Sequence, residues 1–137
     1  MDITRLPEIL MIHLKRFDFV NGQLSKVEDM VNFPLKNLNL SNYISNINTD
    51  SKNSYDCYGV WNHIQFSVAG GHYTSYINYD SEEFKRTNPT IGDKWNKWND
   101  DLISEAKVSE IINKNAFILF YKRNEFNPSN IVDFLAF

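Results

Sequence analysis

The sequence predicts an α+β fold, mainly an antiparallel β-sheet with short helices. Three observations lead there. About six segments have the length and composition of strands, the helical signals are all short, and several neighbouring strands are joined by connections compatible with hairpins.

The first strand covers Ile9 to Phe19 (ILMIHLKRFDF), which holds aliphatic and aromatic residues without Gly or Pro and becomes charged at Lys15 and Arg16. Asn21-Gly22 supplies a hairpin turn. Leu24 to Phe33 returns as the second strand, and Pro34 ends it. Leu35 to Ile44 reads as a short loop or one helical turn, with Ser41 as a candidate cap. Residues 45–54 are a polar loop without periodicity. Tyr55 to Ile64 alternates Tyr55, Cys57, Gly59 and Trp61 against Asp56, Tyr58, Val60 and Asn62, the period of a strand. Gly70-Gly71 breaks the chain before a β-type run from His72 to Tyr79.

A charged loop with Pro89 and Gly92 spans residues 80–93, followed by a short aromatic strand from Lys94 to Trp98 and a polar turn at Asn99-Asp100-Asp101. Between Ser104 and Asn113, Val108, Ile111 and Ile112 sit at i, i+3 and i+4, which predicts a short helix. Ala116 to Arg123 (AFILFYKR) is nearly all apolar and is expected to lie centrally in the sheet. The organisation expected is a domain over residues 1–123 and a tail over 124–137.

A length of 137 residues fits one domain or a piece of one, and a hydrophobic fraction of 42% is ample for a core. The net charge of −3 gives neither a nucleic-acid footprint nor a polybasic membrane patch, so neither partner is expected. No apolar run approaches the ~20 residues that span a bilayer. Cys57 is the one cysteine and there is no CxxC pair, so neither an internal disulfide nor a zinc site is expected, and no other cofactor is implied. A reducing intracellular compartment, cytoplasm or nucleus, suits this usage, and the N-terminus has no apolar signal region.

Chemistry can come from few residues. His13 lies mid-strand and reads as a packed or edge histidine, and His63 likewise reads as structural. His72 stands apart because two glycines precede it, and glycine lets another backbone approach closely. A histidine there can serve an extended peptide as general base at neutral pH. The same Gly-Gly-His is also explained by plain chain reversal. Trp95 to Asp101 is either a packed aromatic strand with a polar turn or the source of a group that accepts a hydrogen bond from His72 Nδ1–H and orients the ring. If the two strands pair across the 80–93 loop, His72 and Asn99 meet at the end far from it. Cys57, inside a strand, is expected to be a buried, inert thiol. The residues thus offer a base and an orienter without a nucleophile.

Six segments in order resemble the ubiquitin-specific protease family of deubiquitinases. They are Leu6-Pro7 with Ile12 to Phe17, Val31 to Leu35 with Leu38 to Tyr43, and Tyr55 to His63. They continue with Gly70-Gly71-His72-Tyr73-Thr74-Ser75-Tyr76, Trp95 to Asp100 and Ala116 to Arg123. The resemblance implies the C-terminal part of a papain-like cysteine protease domain, the palm. It implies His72 as catalytic base, Asn99 as the third triad member, and Asp100 as an adjacent acidic residue that assists at the oxyanion or supports the site. Gly70, Gly71 and Tyr73 fall where the family binds the extended tail of ubiquitin. The implied partners are ubiquitin, ubiquitinated proteins and the N-terminal half of the same catalytic domain.

Departures from the family pattern are specific. The cysteine box, the helical thumb and the zinc-bearing fingers are missing, and His63 to Ala69 lacks a glycine usual two residues after that histidine. Trp98 replaces a usual Phe. The expectation is therefore part of a thiol-dependent ubiquitin hydrolase that is inactive by itself. The alternative is a non-catalytic ubiquitin-binding or scaffold protein. The sheet face left open by the missing thumb is expected to expose an apolar patch.

Overall fold

The computed structural model describes residues 3–44, 53–67, 70–79 and 95–125. Most of the expected polar loop, the charged loop and nearly all of the tail lie outside them. Among the described residues there are nine strands: β1 (Ile9–His13), β2 (Phe17–Val20), β3 (Gln23–Lys26), β4 (Leu38–Asn39), β5 (Ser54–Ser67), β6 (Gly70–Asn78), β7 (Trp95–Asn99), β8 (Leu102–Glu105) and β9 (Ala116–Arg123). One short helix, α1 (Val108–Ile111), precedes β9. The main sheet runs β1-β9-β5-β6-β7-β8 with β4 also on β5, and every pairing between these strands is antiparallel. The predicted antiparallel sheet with short helices is what forms.

Several elements differ from the sequence reading. The long first strand is two strands, because the chain turns away at Leu14 to Arg16. Arg16 is only 2% exposed. Its Nε donates to Ala116 O at 2.9 Å, and one Nη donates to Val27 O at 3.2 Å and Asp29 O at 2.5 Å. One planar guanidinium thus ties β9 to the chain leaving β3, a task its fixed fork of donors suits. Asn21 and Gly22 both adopt positive φ (53° and 77°), the two-residue turn that matches strand twist, so this hairpin forms as expected. Its second strand stops at Lys26 rather than reaching Phe33. Ser41 caps nothing; it begins a 3-10 turn, Ser41–Tyr43, preceded by Leu40, and Asn39 Oδ1 accepts the Ser41 N–H at 2.9 Å. Ser104 and Glu105 belong to β8, a strand the periodicity did not suggest, and Val108 is exposed while Ile111 is fully buried.

The core lies on one face of the central strands. Tyr55, Cys57, Val60, Leu119, Tyr121 and Ile111 are its most buried side chains, with Phe33, Leu35 and Leu38 packed in from the segment around β4. Burying two tyrosines requires partners for their hydroxyls. Tyr55 Oη donates to Pro7 O at 2.5 Å and Tyr121 Oη to Pro34 O at 2.8 Å. The β5–β9 register shifts between Cys57 and Gly59. That bulge changes which residues face inward: Tyr55 and Cys57 before it, Val60 and Asn62 after it. The single alternation expected over Tyr55 to Ile64 is therefore broken by one inserted residue, as bulges do. β9 is paired on both sides, to β1 and β5, which explains its nearly continuous apolar sequence.

Candidate active site

His72 and Asn99 reach each other through the sheet register. Ser75 pairs with Trp98, so one further antiparallel step sets Asn99 across from Thr74, and His72 lies two residues before Thr74 on the same face. Diagonal neighbours of this kind stand about 7–8 Å apart at the backbone, within reach of long side chains. The His72 ring spans the gap: its Nε2 lies 2.5 Å from Asn99 Oδ1. This corrects the expectation that Nδ1 would meet the orienter. The distal edge of the ring is the one long enough to cross to β7. With the amide oxygen as acceptor, Nε2 carries the proton and Nδ1 keeps its lone pair, free to act as a base.

The other site residues from the sequence divide between two places. Gly70 and Gly71 are exposed at the head of β6 and belong to the strand rather than breaking it. The β5–β6 register shifts beside them, between Gln65 and Ser67. Asp100 follows Asn99 in the two-residue loop that joins β7 to β8, with a positive φ of 52°. Asp100 and Tyr73 line a cleft of about 450 Å³ together with Trp61, Thr74, Ser75 and Trp98. Tyr73 is 56% exposed and Trp61 48%. Strand alternation sends Tyr73 to the face opposite His72, so the two adjacent residues serve different surfaces.

Beneath His72, Asn62 and Thr74 are buried polar residues facing each other across β5 and β6. Asn62 Nδ2 stands 3.4 Å from Thr74 Oγ1, and Asn113 Nδ2 donates to Asn62 Oδ1 at 3.3 Å. Buried polar groups are retained where they are satisfied by one another.

His63 was read as structural, and its surroundings are those of a packed ring. It is 6% exposed, with Tyr73, Phe17 and Phe117 at ring-centroid distances of 4.8, 5.4 and 5.8 Å. Burial, then the nearby Lys26 charge, lower its pKa and keep the imidazole neutral. His13 is exposed on edge strand β1 and meets Phe117 edge-on at 4.5 Å. Cys57 is 1% exposed, and burial pushes its thiol up to about 12. A thiol so placed is not ionised at neutral pH and is no nucleophile. Sequence reasoning missed Arg16 as a buried tie and the contact of His63 with Gly71. The second follows only from the strand register, in which His63 pairs with Tyr73 and so lies diagonally across from Gly71.

Comparison with known proteins gives the family and the fold. Residues 1–121 match the family described as ubiquitin carboxyl-terminal hydrolase. The chain is 40% identical over 123 residues to ubiquitin carboxyl-terminal hydrolase 8 of Arabidopsis thaliana, covering 90% of this chain and 13% of that protein. It is 33% identical over 122 residues to ubiquitin carboxyl-terminal hydrolase 19 of Rattus norvegicus, covering 88% of this chain and 9% of that protein. Among solved structures it is similar to the SAGA Ubp8/Sgf11/Sus1/Sgf73 DUB module bound to ubiquitin aldehyde. There the TM-score is 0.72 at 30% identity, over 92% of this chain and 26% of that one. The chain thus spans a small fraction of each of these proteins.

Proposed function

The chain belongs to the ubiquitin carboxyl-terminal hydrolase family, and we propose that it supplies the base and its orienter to a thiol-dependent deubiquitinase whose cysteine lies outside these 137 residues. The observation that carries this reading is the hydrogen bond between His72 Nε2 and Asn99 Oδ1. In this reading residues 1–123 form part of the catalytic domain, residues 124–137 form a tail, and the compartment is cytoplasm or nucleus.

The chemistry follows from the free ring nitrogen. His72 Nδ1 takes the proton of the incoming thiol, and the resulting imidazolium is stabilised by its Nε2–H donated to Asn99. The thiolate attacks the carbonyl carbon of ubiquitin's terminal glycine. As the bond to the lysine ε-amine breaks, the imidazolium gives that nitrogen its proton, leaving ubiquitin as a thioester. Water then loses a proton to His72, attacks the thioester carbonyl and releases ubiquitin's carboxylate and the thiol. Gly70, Gly71 and Tyr73 border the path of the extended tail, and Asp100 supports the site from the β7–β8 turn.

A second reading, a non-catalytic ubiquitin-binding protein, is favoured by one observation: the only thiol present is the buried Cys57. A chimera separates the two. Residues 3–123 would replace the matching segment of the Arabidopsis hydrolase 8, and cleavage of a ubiquitin–fluorophore conjugate would be measured. The catalytic reading expects turnover that His72→Ala removes. A folded chimera that binds ubiquitin but is equally inactive with and without His72 supports the second reading instead.

A further inference from the structure

We infer that His63 is a positioning residue for His72, acting through Gly71 at the head of β6. Its consequence for catalysis rests on the reading of His72 as base; its geometry does not. His63 pairs with Tyr73 and Ile64 with His72 across β5 and β6. The His63 side chain therefore lies on the face opposite His72, diagonal to Gly71. A Cβ built on Gly71 would overlap His63 Nε2 and come within 2.8 Å of Cε1 and 2.9 Å of Cδ2. The imidazole occupies the space that any other residue at 71 would need.

The ring is itself held from several directions. Tyr73, Phe17 and Phe117 pack against it. Its backbone N–H donates to Asn115 O at 2.9 Å, and Lys26 Nζ donates to its carbonyl at 2.5 Å. Among the described residues its Nδ1 is buried without a hydrogen-bond partner, so this nitrogen is not what fixes the ring. What the ring does is provide a flat surface against which the backbone at 71 closes. The next residue is His72, whose Nε2 must arrive 2.5 Å from Asn99 on the neighbouring strand. A strand that shifts at 71 carries the His72 Cα with it, and a hydrogen bond weakens as its donor and acceptor separate or lose alignment.

The test uses this chain with ¹⁵N-labelled histidine and follows solvent exchange of the His72 Nε2–H by NMR. Gly71→Ala, with the ring still in place, is expected to speed that exchange about tenfold, and His63→Ala less than that. The double variant is expected to exchange no faster than His63→Ala alone, since the new methyl group then enters vacated space. Multiplying single effects, or a Gly71→Ala chain with unchanged exchange, would overturn the inference. If Gly71→Ala does not fold, His63→Ala decides, and unchanged exchange overturns it. A core variant remote from the site, Ile111→Val, should lower the unfolding midpoint and leave the His72 signal in place, which separates positioning from general stability. Absence of coupling sinks this inference alone, whereas coupling with an active His72→Ala chimera sinks only the functional reading.

Discussion

His72 and Asn99, separated by 27 residues, are joined by a hydrogen bond from the ring's Nε2 to the amide's Oδ1 at 2.5 Å. In the chimera described above, His72→Ala is expected to reduce kcat/KM about a thousandfold or more, the scale of lost general acid–base catalysis. Asn99→Ala removes one charge-assisted hydrogen bond, so a loss of roughly ten- to a hundredfold is expected. Ubiquitin–fluorophore turnover measures both. Equal rates for His72→Ala and the unaltered chimera would remove the assignment.

Cys57 should behave as a buried thiol. Iodoacetamide at pH 8 is expected to leave it unmodified in the folded chain and to alkylate it once urea unfolds the protein, because the native thiol is pushed to about 12. The chain alone should cleave no ubiquitin conjugate. Turnover that vanishes with Cys57→Ala would contradict both statements.

Arg16→Ala should cost about 3 kcal/mol, since one change strips the carbonyls of Ala116, Val27 and Asp29 of a charged donor. Arg16→Lys should recover only part of this, because a single ammonium cannot reproduce the fork. Urea unfolding followed by tryptophan fluorescence gives both values. A loss below about 1 kcal/mol for the alanine variant would show that the tie contributes little.

His63 makes stability depend on pH. Its folded pKa is lowered by burial and by Lys26, so the unfolded chain takes up this proton first on acidification. Its contribution is therefore complete above the unfolded value of about 6.5 and is lost as pH falls from there through the lowered folded value. The urea midpoint should drop between pH 7 and pH 5.5, and drop less in His63→Gln. Parallel pH profiles for the two proteins would contradict the assignment.

The aromatic side of the sheet should make the isolated chain self-associate. Trp61, Tyr73 and Met11 are all about half exposed or more, at 48%, 56% and 60%. Size-exclusion chromatography is expected to show concentration-dependent elution, and a single monomeric peak across concentrations would count against it.

Local rules made much of this protein legible. Asn21-Gly22 specified its hairpin because both residues tolerate positive φ, and the apolar run of β9 specified a central strand because both of its faces meet other chain. The Gly-Gly-His pattern with the Trp95 to Asp100 cluster singled out His72 and Asn99, which the sheet brings within hydrogen-bond distance of each other. What failed was whatever depends on distant neighbours. Arg16 looks like the charged end of a strand, and only the carbonyl of Ala116, 100 residues away, makes it an interior residue. The bulge at Cys57 to Gly59 reverses the inward phase of β5, a choice made by its register with β9. Which ring nitrogen faces Asn99 was decided by the offset between β6 and β7. Residue types and their spacing determine which chemistry is possible; pairing between strands far apart in the chain decides which atoms meet, because a one-residue shift in register turns every side chain to the other face.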